Sequence, residues 1–258
     1  MSTNQEAVEP GMDKGSDLVA SVLRDRFEFA EGPMDNAQAA EYLSRVVQEL
    51  PGESMKVVAV VGGPASGKDT LVNLAADKLR QSGLRADAIS TDDYNLGTRE
   101  WRHEREREDP LKLKDFSLLN EHLRRIAILE DGETVALPVY DELTGLAIAA
   151  GEEDFLHKAG ETDVMFVQGD FDAVEAPNLH VFIDVPTETR LQARIKRDTE
   201  KRGEADPEKV AANFRSRQEK QFAPLTAPTI KRSDLVFKVT PTPDSWQYNI
   251  YRRTSQND

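Results

Sequence analysis

The sequence predicts an α/β fold built on a doubly wound, mostly parallel sheet flanked by helices. Three observations predict it. Short apolar runs that read as buried strands alternate with amphipathic helical segments along most of the chain. The first clear strand runs straight into a glycine-rich loop that opens a helix. Further strands end in polar or acidic residues, at the sheet edge where an open parallel sheet forms its ligand crevice.

The loop is the most informative stretch. Val57 to Val61 is an apolar run with the length of a buried parallel strand. Gly62, Gly63, Pro64, Ala65, Ser66, Gly67 and Lys68 follow, then Asp69 and Thr70, and then a helical pattern with apolar Leu71, Val72, Leu74, Ala75 and Leu79. Strand, glycine loop and helix in that order define a phosphate-binding P-loop. Glycines let the backbone curl so that its N–H groups point inward, and the helix N-terminus adds positive potential. Lys68 is placed to bridge the outer phosphates. After the lysine such loops normally carry Ser or Thr, whose hydroxyl holds Mg²⁺. Here Asp69 takes that place, a carboxylate that can ligate a hard cation but also repels phosphate oxygens.

Composition sets the outer bounds. A chain of 258 residues suits one α/β domain with an appendage. No apolar run approaches the roughly eighteen residues of a membrane span. The start, Met-Ser-Thr-Asn-Gln-Glu, lacks the basic and apolar parts of a signal peptide. With no cysteine, disulfide and thiolate chemistry are excluded, and a cytoplasmic location is expected. A net charge of −14 argues against a nucleic-acid or acidic-membrane surface. A local basic pocket is still allowed, and a homo-oligomer remains open.

Taken in order, residues 1–15 read as a disordered tail. A helix is expected from Ser16 to about Phe27, capped by Ser16 or Asp17, and a second from Asp35 to Leu50, stopped by Pro51-Gly52. These segments form an N-terminal tail and helical extension over residues 1–54. A P-loop domain then spans 55–245, and 246–258 read as a C-terminal tail. Within the domain, Leu84–Ser90 is a strand ending in Thr91-Asp92-Asp93-Tyr94, acidic residues beside the phosphate site or else a turn. Residues 97–109 are densely charged and read as a solvated face or flap. An amphipathic helix follows from Lys114. Thr134–Tyr140 is extended, with Pro138 marking an edge. Val164–Val167 and Leu179–Val185 are buried strands, and the first ends in Gln168-Gly-Asp170. Thr187–Arg202 is a helix rich in Arg and Lys, Pro207 opens another, and Leu235–Val239 closes the sheet.

Five segments together resemble the uridine kinase and phosphoribulokinase family of P-loop small-molecule kinases. They are Gly-Gly-x-x-Ser-Gly-Lys at 62–68, Ser90-Thr-Asp-Asp-Tyr94, Asp115-Phe-x-Leu-Leu119, Pro138-Val-Tyr-Asp141 and Arg194-Ile-Lys-Arg-Asp-Thr-Glu-Lys-Arg-Gly203. The likeness covers about residues 55–240. It implies a P-loop kinase fold and ATP with Mg²⁺ as cofactors. Asp92 matches the carboxylate that orients and deprotonates the acceptor hydroxyl, and Arg194, Arg197 and Arg202 match lid arginines that close over the phosphates. Asp109 and Tyr140 match residues that contact the acceptor. The alternative for those arginines is a solvated basic helix face.

The departures from the family are also legible. Uridine kinases carry a histidine at the position of Gly145, an arginine at Glu204 and a glutamine at Ala212, so uridine is expected to be a poor acceptor. The family's acidic metal partner is replaced by Gln168. A carboxylate has in effect moved from that position to Asp69, with Asp170 as a further candidate ligand. The expected activity is ATP-dependent transfer of the γ-phosphate to a hydroxyl of a sugar-like or nucleoside-like small molecule. A nucleoside monophosphate kinase, which the Lys-Asp-Thr loop resembles, and a catalytically degenerate nucleotide-binding regulator are the alternatives.

Overall fold

A computed structural model describes residues 13–105, 109–141, 145–148, 157–202, 206–243 and 245–254. Residues 1–12, expected as a disordered tail, lie outside that range. Helix α1 (Lys14–Arg26) starts earlier than expected because Asp13, not Ser16 or Asp17, is its N-cap, accepting from the Ser16 backbone N–H. Strand β1 (Phe27–Met34) comes next, then α2 (Asn36–Gln48), which Asp35 and Gln38 open with a capping box.

The central βαβ unit runs β2 (Lys56–Gly62), α3 (Lys68–Gln81) and β3 (Ala86–Ser90). The short helix α4 (Arg99–Glu104) of the charged stretch follows and, after a 3₁₀ turn, the amphipathic helix α5 (Phe116–Ile126). Short strands β4 (Val135–Leu137), β5 (Val139–Tyr140), β6 (Ala147–Ile148) and β7 (His157–Ala159) pair as two separate two-stranded ribbons. The extended stretch around Pro138 thus stands outside the main sheet. The core resumes with β8 (Val164–Gly169), β9 (Leu179–Asp184), α6 (Thr187–Arg202) and α7 (Pro207–Arg217). A π-helical and a 3₁₀ segment continue from α7 to Arg232, ahead of β10 (Leu235–Pro241) and β11 (Trp246–Arg253).

Seven strands form one sheet in the order β1-β11-β10-β9-β2-β8-β3. The five from β10 to β3 are parallel, and β11 runs antiparallel to both neighbours. Helices α2 and α3 cover one face, burying Leu43, Val47, Leu71, Val72 and Leu79 against Val58, Phe166, Val181 and Phe237. On the other face α1 packs against Phe182 and Val236, and α5 packs against Ala59, Met165 and Val167. Helices on both faces make the sheet doubly wound.

Two expectations about the termini need correction. Leu235–Val239 does not close the sheet, because β11 and then β1 continue it. Residues 246–258, expected as a tail, hold β11 in which Tyr248 and Ile250 are buried in the core. The helical extension likewise contributes the edge strand β1. The physical reason is period-two patterning: Trp246, Tyr248 and Ile250 face the core while Gln247 and Asn249 alternate with them, as a strand with one buried face requires. Among the described residues no helix is long and apolar enough to cross a membrane.

Tyr248 is 1 % exposed and meets Phe237 edge-on at 6.4 Å between ring centroids. Tyr248→Ala is expected to lower unfolding stability by about 3 kcal/mol or more, read from urea denaturation. A loss under about 1 kcal/mol would mean that β11 is not part of the cooperative core.

Candidate active site

The loop between β2 and α3 curls through two left-handed residues, Ala65 at φ 60° and Gly67 at φ 78°. Gly67 caps α3, and a side chain there would be strained by its φ and would also press on the Trp246 ring 2.9 Å away. Ala65 has a Cβ in the same region and so stores strain, a feature that recurs at ligand sites. Lys68 folds back over the loop. Its Nζ donates to the carbonyls of Gly62 at 2.9 Å and Gly63 at 3.0 Å and to Asp170 Oδ1 at 2.9 Å. A buried ammonium has to be paired, and here the first residue beyond β8 provides the anion.

Asp69 and Gln168 meet. Asp69 lies exposed in the first turn of α3, and the Gln168 amide at the end of β8 donates to its Oδ1. The two departures from the family's metal residues are therefore one contact. Among the described residues no group of three or more His, Cys, Asp and Glu assembles to hold a metal by itself. The donors that are present, carboxylates of Asp69 and Asp170, are the hard oxygens that Mg²⁺ prefers, and phosphate oxygens would have to complete its shell.

Asp92 sits in the 3₁₀ turn after β3, over half exposed, and takes a 2.6 Å ion pair from Lys114 Nζ. Lys114 also donates to the Thr91 carbonyl and is brought there by a bridge between Asn95 and Lys114. The Lys114 charge holds the Asp92 carboxyl well below the ordinary aspartate range, and Arg217 and Lys68 pull the same way. Asp93 turns inward and accepts from the Ser90 and Tyr140 backbone N–H groups, so it fastens β5 to this turn. Burial raises its pKa. Tyr140 is thereby set beside the Asp92 turn, and Arg102 of α4 lies over its ring and donates to the carbonyls of Gly97 and Gly145.

Other expected residues go elsewhere. Asp109 caps the 3₁₀ turn Pro110–Leu113 by accepting from Leu111 N–H. Arg194 and Arg197 both donate to the buried Asp198 of their own helix. Arg202 ends α6, and its side chain lies outside the described residues, as does Glu204. Sequence reading missed Lys114, Arg102 and Arg217. Lys114 immediately precedes the Asp115-Phe-x-Leu-Leu segment, but a lone lysine carries no signal until the fold brings Asp92 to it.

A model of the phosphoribulokinase/uridine kinase family matches residues 57–245. The chain belongs to that family. A uridine kinase of Borrelia turicatae is 27% identical over 189 residues, covering 70% of this chain and 85% of the relative. A chloroplastic uridine/cytidine kinase of Arabidopsis thaliana is 25% identical over 185 residues, covering 70% and 37%. A longer match with a protein of that name reaches 248 residues at 23% identity, 92% of this chain and 50% of the relative. The chain thus spans at most about half the length of the Arabidopsis relative. Among solved structures, D-glycerate 3-kinase from Cryptococcus neoformans superposes with a TM-score of 0.54 at 18% identity, covering 79% of this chain and 93% of its own. At that identity the likeness concerns the fold. The family's members are kinases built around a nucleotide-binding P-loop, and the segments that the sequence matched to it fall within the matched range.

The electrostatics of Asp92 can be tested directly. Its native titration, followed by carboxyl ¹³C NMR, should lie below the ordinary aspartate value of about 3.9. A depressed native pKa means that this group adds stability above the unfolded value and that the contribution is lost as pH falls through the native one. Lys114→Met removes the largest depressing charge and should move the Asp92 titration upward. An unmoved titration would remove Lys114 from the site.

Proposed function

We propose that this chain is an ATP-dependent kinase that transfers the γ-phosphate to a hydroxyl of a sugar-like or nucleoside-like small molecule. The observation that carries the reading is the convergence, at one edge of a parallel sheet, of the loop lysine Lys68 with the carboxylate Asp92 and its partner Lys114. Asp92 feels the charges of Lys68, Lys114 and Arg217 together.

The residues divide the work as follows. Loop amides and Lys68 hold the β- and γ-phosphates, which requires Lys68 to exchange Asp170 for phosphate oxygens. Asp92 accepts a hydrogen bond from the acceptor hydroxyl and aims its oxygen at the γ-phosphorus. As the new O–P bond forms and the bond to the ADP oxygen breaks, the hydroxyl proton passes to Asp92. A carboxylate held so far below neutrality is a weak base, so it acts chiefly by orientation, which suffices for a loose, metaphosphate-like transition state. Arg217, with Arg194, Arg197 and Arg202 if the lid closes, offsets the charge on the transferring group. Asp69, Asp170 and the Gln168 amide oxygen would hold Mg²⁺, which when bound neutralises the phosphate oxygens. Tyr140 lines the acceptor side, whereas Asp109 is engaged as the cap of the Pro110–Leu113 turn.

The acceptor side disfavours uridine. Gly145 has φ 73°, its carbonyl is taken by Arg102, and a Cβ there would lie 2.7 Å from the Arg99 Cβ, so the histidine of uridine kinases has no room. A screen of sugars, polyol acids, nucleosides and nucleotides for ATP-dependent phosphorylation tests the reading. One hydroxyl-bearing small molecule should turn over, uridine and cytidine should be poor acceptors, and Lys68→Ala should lower kcat/KM about a hundredfold or more. Full activity of the Lys68 variant on the true acceptor would overturn the assignment of the loop.

A second reading, a degenerate nucleotide-binding regulator, is favoured by the Asp69–Gln168 hydrogen bond, which occupies the metal position. The two readings differ in sign for Asp69→Asn. In a working kinase this change weakens Mg²⁺-dependent ATP binding, because a hard cation loses an anionic oxygen. In a degenerate site it tightens ATP binding with Mg²⁺ as well as without it, because a like charge leaves the phosphates and no bound cation is lost. Titrating ATP with and without Mg²⁺ decides, and we expect the weakening.

A further inference from the structure

Arg190 is a charge that the transfer chemistry leaves unused. It lies in the first turn of α6 and is 1 % exposed, yet its hydrogen bonds go only to neutral oxygens: Nε to the Val185 carbonyl at 3.1 Å and Nη2 to the Thr187 hydroxyl at 3.1 Å. Among the described residues Nη1 has no hydrogen-bond partner. That nitrogen faces Gly63 of the phosphate loop so closely that a Cβ on the glycine would collide with it. Phe222 and Phe214 flank the guanidinium at 4.3 and 5.5 Å from their ring centroids. Burial draws its pKa down to about 10, which leaves it charged at neutral pH, with Asp13, Asp170 and Asp184 acting on it electrostatically. A buried cation with a spare donor costs stability unless an anion compensates it.

Helix α1 holds both supports of this cation. Asp13, its N-cap, accepts from the Thr187 hydroxyl and from the Gln218 amide at 3.1 Å. Gly15 lies against Phe222, where a Cβ would sit 2.7 Å from the ring. A continuous packed path therefore runs from α1 through Thr187 and Phe222 to Arg190 and on to Gly63.

We propose that Arg190 is a positioning cation of the phosphate loop, seated by the N-terminal helix, and that it raises the loop's affinity for polyphosphate from behind. The proposal rests on the nucleotide-binding reading of the loop. Lys68 is engaged by Asp170, so the standing positive charge behind Gly63 is that of Arg190. In a site shielded from water such a charge acts over several ångströms. Its bulk against a glycine also limits how the first loop peptide can turn. Residues of the N-terminal extension thereby become part of the nucleotide site without touching the nucleotide.

The test uses the full chain with metal-free tripolyphosphate and with ATP, both by calorimetric titration. Arg190→Met keeps the volume and removes the charge; it should weaken both ligands about tenfold. Arg190→Lys, which keeps the charge and loses the fork and the stacking, should weaken them about threefold. Thr187→Val leaves the charge count unchanged and cuts the link to α1, and should also weaken them about threefold. In turnover with the acceptor found by screening, KM for ATP should rise while kcat and the acceptor KM stay within twofold, a split that a general loss of structure would not produce. Wild-type protein that binds neither ligand refutes the nucleotide reading itself. Wild-type binding with unchanged affinity in a folded Arg190→Met protein overturns the role of Arg190. If that variant does not fold, unchanged affinity in both Arg190→Lys and Thr187→Val overturns the proposal.

Discussion

The constraint on which the active-site edge depends is the pairing of a buried lysine. Lys68 must leave the sheet edge with its ammonium inside a curled loop, and an unpaired charge there would be untenable. Two loop carbonyls and Asp170 satisfy it. That arrangement needs β8 beside β2, so that Asp170 arrives one residue beyond the strand opposite the loop. The Thr226 hydroxyl in turn donates to the Asp170 carbonyl, tying the segment after α7 to the same point. Three charged residues of the edge are thus held by partners: Lys68 by Asp170, Asp69 by Gln168 and Asp92 by Lys114. A site wired this way is balanced when empty. On the proposed reading it would bind by exchanging partners rather than by filling bare charges, with some intrinsic affinity offset by the contacts given up.

The terminal segments belong to the same economy of packing. Helix α2 lies on α3, the helix that the loop opens, and both share the core face with β10 and β11. Trp246 at the start of β11 presses on Gly67, the cap of α3. The loop is accordingly supported from its C-terminal side by a strand beyond the central parallel strands and from its N-terminal side by the Phe222–Arg190 stack. What reads as a P-loop unit with extensions is a single sheet whose outer strands brace the inner ones.

How much of this was legible follows from the kind of signal each part carries. Strands β2, β8 and β9 are buried on both faces, so they appear as continuous apolar runs and are unmistakable beside a glycine loop. The strand-end position leaves the Thr91–Tyr94 segment open between site and turn, and it is the resemblance to the kinase family that singles out Asp92. Strand β1, Phe-Glu-Phe-Ala-Glu-Gly-Pro-Met, was not legible, because an edge strand with two glutamates and a Gly-Pro step resembles a linker. Strand β11 did carry a period-two pattern, but aromatic residues interleaved with Gln, Asn and Arg at the chain end were read as a tail. Lys114 and Arg102 are single basic residues whose partners lie 22 and 38 positions away in sequence, and Arg190 meets the phosphate loop at Gly63 only in the fold. Arg194 and Asp198 illustrate the opposite case. Their four-residue spacing on a helix is itself the signature of an intrahelical pair.

The placement of acids around the loop bears on how transfer would proceed. Asp69, Asp92 and Asp170 carry three formal negative charges at the edge where a polyphosphate would bind, against Lys68, Lys114 and Arg217 in contact with or acting on them. That near-balance leaves little net attraction for a highly charged nucleotide from these groups alone. The deficit has to be met by the loop amides and the α3 N-terminus, which point at the phosphates with no counter-ion attached, and by cations outside this set. Where a family member with a hydroxyl after the lysine adds no negative charge to α3, this chain adds one in its first turn. The same carboxylate that can anchor Mg²⁺ weakens binding without it. Nucleotide recognition here should therefore depend more steeply on the metal than it would with a hydroxyl at that position, with the hydrogen bond from Gln168 holding Asp69 where a metal would bind.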